Sequence, residues 1–486
     1  MRKLAAIAPA LAGAWAAYSG LLYAVDATRR YRAESAWFVF AAVLVIAAIY
    51  AIVRVSPRAA KTGFVDRRAA IIGLAVFVAG AVLLYAPMLS IGLLSDDFVL
   101  LSRARSGTLL DRSWEFVRPL PLALWGIARA PLALHAVNIV LHGVNAWLTA
   151  VLAIRFGLPK GAAMFAGLLF LAFPTSVEAV AWAAGVFDVL MVTVVLAACA
   201  ALTTMPGGKA RTITIAVLTA AALATKETAV VMPAILVITS FAAAGSLRSV
   251  VTPLAASLGV VAVYVLMRLM AGFPSAPPSQ GVSGYMLKEF LSRPYATLGL
   301  PFHIELLEAH RWIAFVFALF WPLMFVLWQW RTDRATAIRV FSCAMWIFVS
   351  VLPVAAMLFI ADDLQGSRYV YLGSVAFSIM LLALVSNLDQ SVQTLVAIPL
   401  VALFVVAARS HQSAWTAAAV ERDRVLDAFR ASDVQCNPVS VRGLPDQVRG
   451  AYVFRNGFLE AVHDPSRMQT PACTLTWDGR RFAESR

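Results

Sequence analysis

The chain has 486 residues, of which 61% are hydrophobic and only 14% charged, against about 45–50% and about 25% in a soluble domain. Its mean hydropathy is +0.80. These figures exclude a soluble enzyme, a disordered chain and a small disulfide scaffold, and they leave room for about a dozen membrane helices of roughly 20 residues each.

The net charge of +14 would suggest nucleic acid in a soluble protein. Here the basic residues sit in short loops between apolar runs and in a tail, the bias expected of cytoplasmic loops. No nucleic-acid partner is expected, and part of the excess can serve anionic lipid or phosphate.

The first apolar run, 4–25, follows Met1-Arg2-Lys3. It is longer than a usual signal core and a second run follows closely, so it reads as a retained helix. Further runs lie near 36–54, 70–93, 131–154, 161–174, 182–204, 212–225, 228–246, 249–271, 312–330, 337–360, 372–386 and 392–408, about thirteen in all. Those at 161–174, 212–225 and 372–386 are short and fit broken or tilted helices lining a cavity. With a cytoplasmic N-terminus the inside loops carry Arg58, Lys61, Arg67, Arg68, Arg155, Lys160, Lys209, Arg211, Arg248, Arg331, Arg334 and Arg339. The outside loops carry most of the acids, including Asp96, Asp97, Glu178, Asp362 and Asp363. The tail from 409 to 486 then lies outside the cytoplasm as a small domain. Residues 412–431 fit a helix, and Asn437-Pro438, Gly443, Asn456-Gly457 and Asp464-Pro465 mark turns. An oxidising compartment would allow a Cys436–Cys473 disulfide, while Cys199 and Cys343 read as core residues.

Ionisable groups in or beside membrane spans are costly and mark function by default. Asp96-Asp97, after the third run, can supply a general base or bind a divalent cation, or form a solvated pair at a helix end. Arg118-Pro119-Leu120 can return an arginine to the same pocket. His135, Asn138, His142 and Asn145 are spaced 3, 4 and 3 and share one helical face, suited to interhelical hydrogen bonds or to lining a pocket. Glu178, Trp182 and Gly185 are spaced 4 and 3, with Asp188 close behind. An acid, an indole and a glycine gap suit a sugar, or an interfacial Trp with a capping acid. Lys226-Glu227 falls between two apolar runs with no loop and suits a phosphate or a paired helix break. Arg368, followed by Tyr369 and Tyr371, fits a lipid phosphate or a snorkelling arginine in an aromatic belt. The loop 272–311 holds Tyr285, Lys288, His303 and His310 but no metal or triad spacing.

At these clusters the sequence resembles the GT-C glycosyltransferases, specifically the transmembrane O-mannosyltransferases with tetratricopeptide repeats and their bacterial relatives. The resemblance rests on Ser95-Asp96-Asp97, Arg118-Pro119-Leu120, His135–His142, Pro174–Asp188, Thr225–Thr228 and Ser367–Ser374, in the family's order across roughly residues 90–375. The sequence departs from the family at Phe173, where His often stands, and at Phe187, often basic. Three apolar runs precede the Asp-Asp loop where one is usual, and no helical repeats follow.

The resemblance implies an all-α polytopic membrane protein: a GT-C-like transmembrane catalytic domain over 1–408, with outer loops 94–130 and 272–311, and a small extracytoplasmic domain over 409–486. It implies a hexosyl- or pentosyltransferase of the bacterial inner membrane. The sugar passes from a polyprenyl-phosphate donor to a cell-envelope glycan, lipid or exported protein, with inversion. Asp96 or Asp97 is then the base. Arg368, Lys226 and Arg118 bind the donor phosphate, and Glu178, Trp182, Asp188, His142 and Tyr369 hold sugar or acceptor. No metal site or obligatory cofactor is expected, with Mg or Mn an option within the family. Two rivals are a transporter or flippase of a lipid-linked substrate, which predicts an inverted repeat that is not seen, and a non-catalytic subunit of an envelope-assembly complex, which has no use for the acid pair.

Overall fold

The computed structural model describes residues 67–106, 118–244, 250–270, 293–299, 321–357, 360–361, 363–432, 434, 436–463 and 472–485. The expected spans at 4–25 and 36–54, most of the loop 272–311 and the turn at Asp464-Pro465 lie outside the described residues.

Among the described residues, seven helices are long and apolar enough to cross a membrane: Ala70–Ser90, Pro131–Arg155, Ala183–Thr204, Val251–Met270, Arg334–Val354, Ser367–Val385 and Gln390–Arg430. The pair Lys160–Ala172 and Pro174–Ala181, bent by 48°, makes an eighth when counted as one broken span. The run near 212–225 forms a helix of 17 residues and the run near 228–246 one of 13. Both are short for a full span, so the described residues do not reach the expected thirteen.

Pro131–Arg155 is the hub, packed on Arg67–Tyr85, Lys160–Ala172 and Val186–Thr204. Small residues set these approaches, as they do between membrane helices generally. A Cβ on Gly143 would stand 2.7 Å from Val78 Cα, and one on Gly167 would stand 2.7 Å from the Ala146 carbonyl oxygen. The polar stripe of this helix is wholly buried. The Asn145 amide donates to Val189 O (3.0 Å) and to the Tyr371 hydroxyl (3.2 Å). His142 Nε2 lies 3.0 Å from Leu171 O, and its Nδ1 lies 2.8 Å from the Tyr371 hydroxyl. A carbonyl only accepts, so Nε2 carries the proton and Nδ1 accepts from Tyr371.

The same stripe braces a break in a neighbouring segment. The helix Val177–Ala181 ends at Trp182, whose ψ of 129° is extended, and a 3-10 turn Ala183–Gly185 follows. Asn138 donates to the carbonyls of Trp182 (2.8 Å) and Ala183 (3.2 Å), which also accept the Gly185 and Val186 N–H groups of the turn, so its amide is a second donor that ties the irregular backbone to this helix. Glu178, Trp182 and Gly185 therefore do not share a helical face as their spacing suggests. The space at Gly185 is also not a ligand gap, because a Cβ there would run into the Ala179 carbonyl.

The last membrane helix, Gln390–Arg430, has 41 residues and measures about 60 Å, twice the roughly 30 Å of a hydrocarbon core. It passes through residue 409 without interruption. In its second half, the buried Arg422 donates to Ile91 O (2.6 Å) and Leu93 O (2.7 Å). Gly92, at φ +70°, leaves room for that guanidinium.

Beyond the helix, strands β1 (Asn437–Arg442), β4 (Ala472–Trp477) and β5 (Phe482–Ser485) form a sheet, with β1 parallel and β5 antiparallel to β4. Between them lie the two-residue strands β2 (Gln447–Val448) and β3 (Ala451–Tyr452). Asn437-Pro438 opens β1 rather than forming a turn, Pro needing no ladder donor at a strand's first residues. Phe429, Phe454, Phe458, Trp477 and Phe482 pack into one aromatic cluster.

Cys436 and Cys473 are bonded across a separation of 37 residues. Chain entropy assigns such a closure about 4 kcal/mol. Reduction, or Cys473→Ser, is expected to expose the tail to limited proteolysis while the membrane helices stay resistant. An unchanged cleavage pattern would show that the domain holds without the bond.

Candidate functional site

Six stretches meet at one end of the helix bundle. They are the entry to helix Asp96–Ser106, Arg118 before Pro119–Ile127, the break at 178–188, the break at 226–227, the turn Ser367–Val370, and residues 440–460 of the C-terminal domain. They enclose a cavity of about 740 Å³. Among the described residues, the basic groups Arg155 and Arg339 lie at the opposite end, where Arg155 donates to Thr203 O (2.8 Å) and the Arg339 guanidinium lies beside Gly157.

The two adjacent aspartates have different surroundings. Asp96 is half-buried on the cavity wall, and its Oδ1 accepts from the Asn456 amide at 2.6 Å. Asp97 is fully buried behind it. Its Oδ2 accepts from the Leu94 N–H (2.9 Å) and its Oδ1 from the Ala184 N–H (2.8 Å). Burial lifts the Asp97 carboxyl well above the usual range, against the pull of those two donors and of Arg422. Asp97 therefore clips the Asp96 helix to the 183–185 turn and does not reach the cavity. The two carboxylates do not converge as a chelating pair.

Three cations on the wall are each backed by an acid. Arg118 holds Glu227 through two bonds, Nη2 to Oε1 at 2.6 Å and Nε to Oε2 at 3.0 Å. Lys226 meets Asp188 at 2.5 Å. The helix before Lys226 ends at Thr225, and the extended backbone of Lys226 (φ −156°, ψ 135°) separates it from the next 3-10 turn. Arg368 meets Glu178 at 2.6 Å and donates to the Tyr452 hydroxyl at 3.1 Å. Glu178 is buried and also accepts from Ser367 Oγ (3.3 Å) and Arg368 N (3.2 Å). Both salt-bridged carboxylates nearest the wall, Asp188 and Glu227, line the cavity, while Glu178 stands behind Arg368.

The aromatic rings brace these cations. The Arg368 guanidinium lies 4.9 Å from the Trp182 ring centre and 5.1 Å from that of Tyr369. Lys226 Nζ lies 5.7 Å from the Tyr369 ring. Such contacts favour a cation in a desolvated place. Trp182 is 4% exposed, is packed on Tyr452 at 4.7 Å, and donates Nε1 to Leu94 O at 3.1 Å. Its ring thus orders Arg368 and leaves little face for a sugar.

Among the residues expected from sequence, Asp96, Arg118, Trp182, Asp188, Lys226, Arg368 and Tyr369 line the cavity. Asp97 and Glu178 lie behind it. His142 lies in the helix hub on Tyr371, Tyr85 and Phe170; its bonds are used between helices, so it cannot touch a ligand there.

Residues 440–460 form the other wall, including Ser440, Leu444, Phe454, Arg455, Asn456 and Phe458. Arg455 is held by Asp446 through two bonds of 3.0 and 2.8 Å. In the sequence, Asn456-Gly457 marks only a turn. The one signal there is a dense aromatic run, Tyr452 to Phe458, in a polar tail.

No family model matches the chain, and no curated protein matches it. Among solved structures it is similar to the crystal structure of ArnT from Cupriavidus metallidurans bound to undecaprenyl phosphate, at 16% identity and a TM-score of 0.41, over 83% of this chain and 92% of that one.

Proposed function

We propose that this chain is a membrane glycosyltransferase of the GT-C type, moving a sugar from a polyprenyl-phosphate donor to a hydroxyl of a cell-envelope glycan, lipid or exported protein. The observation that carries the reading is the division of charge in the cavity. Arg118, Lys226 and Arg368 are held in place by acids and braced by rings, whereas Asp96 shares the cavity with them and bonds to a neutral amide. The order of the motifs along the chain supports the same family. The positive bias of the loops at the far end supports a cavity facing away from the cytoplasm, in a bacterial inner membrane.

In an inverting single displacement, the Asp96 carboxylate takes the proton of the acceptor hydroxyl. The acceptor oxygen bonds to the anomeric carbon from one face while the carbon–oxygen bond to the phosphate breaks on the other. The leaving polyprenyl phosphate gains negative charge, which Arg368, Lys226 and Arg118 stabilise in a site already ordered for it. Asp188 and Glu227 orient these cations, and Tyr369 fixes the gap between Lys226 and Arg368.

The test is transfer by purified protein in nanodiscs from polyprenyl-phosphate mannose, glucose, galactose, arabinose and amino sugars to an envelope extract. Formation of a glycosylated acceptor supports the reading. Movement of the lipid-linked sugar across the bilayer without transfer would replace it with a transporter. Three protein cations already face the leaving group, so turnover is expected to change less than twofold in EDTA. Loss of turnover that Mg²⁺ or Mn²⁺ restores would overturn that part.

A further inference from the structure

We infer that Asn456 is a positioning residue for Asp96, so that the C-terminal domain completes the active site instead of only covering it. This rests on Asp96 acting as the base. The Asn456 Nδ2 to Asp96 Oδ1 distance of 2.6 Å is short for an N–H···O bond.

The backbone around the pair is pinned at the same seam. The Ser95 N–H donates to Val453 O at 2.9 Å, and Ser95 Oγ accepts from the Asn456 N–H at 3.3 Å. Ser95 has φ +50°, a conformation that costs energy in a residue other than glycine. Its carbonyl lies where a Cβ on Gly457 would stand, and Gly457 itself has φ +85°. Behind the seam, Val453 N donates to Asp446 O (3.0 Å) and Phe454 N to Pro445 O (3.1 Å). Phe454 stacks on Phe98 of the Asp96 helix at 6.1 Å.

The chemistry of the donor explains the choice of residue. Asp188, Glu227 and Glu178 each meet a cation. A cation on Asp96 would hold its negative charge and blunt it as a proton acceptor. A neutral amide occupies Oδ1, fixes the plane of the carboxylate and carries no charge, leaving Oδ2 for the acceptor hydroxyl. A general base must lie within hydrogen-bond reach of the proton it takes, and a carboxylate free to rotate spends part of its time out of that geometry.

The experiment compares wild type, Asn456→Ala and the isosteric Asn456→Asp in the nanodisc transfer assay, with each change repeated on Asp96→Asn. Asn456→Ala is expected to lower kcat about 10- to 100-fold, the range of one hydrogen bond to a charged group, with donor KM within twofold of wild type. Asn456→Asp replaces the donor by an acceptor in the same shape and is expected to lose at least as much. On Asp96→Asn neither change should lower single-turnover rates further, because residues acting as one unit are not additive. Transfer by wild type together with an unchanged kcat in both variants overturns this inference alone. So does a full additional loss on Asp96→Asn, or a rise in donor KM with kcat intact. A wild type that transfers no sugar overturns the enzyme reading and this inference with it.

Discussion

Asp96→Asn is expected to lower kcat for sugar transfer by about 10²- to 10⁴-fold, the range for removing a positioned general base, while donor binding stays within a few-fold of wild type. The new side chain has the same shape, and its amide oxygen can still accept from Asn456. What disappears is the oxygen that takes a proton. The neighbouring Asp97→Asn is expected to behave differently. Both Asp97 oxygens accept backbone N–H groups, and an amide can accept only one of them, so it turns an NH₂ towards the other. Leaving that buried donor unmatched costs about 1–3 kcal/mol. Asp97→Asn should therefore lower the melting temperature and yield, and its surviving folded fraction should still transfer sugar. Single-turnover rates per folded molecule, measured on both variants, separate the two roles. A well-folded Asp97→Asn with no chemistry, or an Asp96→Asn at near wild-type rate, would exchange them.

Removing Arg368 is expected to damage both folding and function, and a paired substitution tells the two apart. Arg368→Ala leaves Glu178, 1% exposed, as a buried carboxylate without its cation, and deleting one partner of a buried pair costs about 3–5 kcal/mol. The Tyr452 hydroxyl, 3.2 Å from the same carboxylate, offsets only part of that. Replacing both members, as in Arg368→Met with Glu178→Leu, removes both buried charges. Such swaps are often neutral for stability. The double variant should therefore regain most of the thermal stability lost by Arg368→Ala. It should not regain turnover, since the leaving phosphate still lacks the guanidinium. Thermal unfolding in detergent and the transfer assay, run side by side, check both parts. Recovered activity in the double variant would remove Arg368 from the phosphate site and leave it a structural role.

The polar clusters were legible from sequence because ionisable residues beside apolar runs stand out against their neighbours. Asp96, Arg118, Asp188, Lys226 and Arg368 could be placed at one site for that reason. The different surroundings of Asp96 and Asp97 were not legible, because the groups that cage Asp97 include the Ala184 N–H, 87 positions away. Trp182 suggested a stacking surface, yet its ring is covered by Tyr452 and Arg368, one of them from the tail. Asn456 carried no signal, since asparagine before glycine in a polar segment is ordinary turn chemistry. The stripe on Pro131–Arg155 was legible as a face. Its use in bracing the backbone at the Trp182 break was not, because the break is itself a tertiary event.

The unbroken helix Gln390–Arg430 restricts how this chain can change over time. Each residue added to a helix advances its far end by about 1.5 Å and turns it by about 100°. Between the apolar half and Arg422, a single insertion would carry the guanidinium away from the carbonyls of Ile91 and Leu93. It would also swing Asn456 away from Asp96. Substitution along the exposed side of this rod is cheap, but a change in its length is felt at every contact beyond it. Lineages of this protein should therefore vary in side chain at exposed positions of residues 409–421 such as Thr416 and Val420, keep the buried Gln412, Trp415 and Ala418, and hardly vary in residue number, even where nothing in that stretch touches substrate.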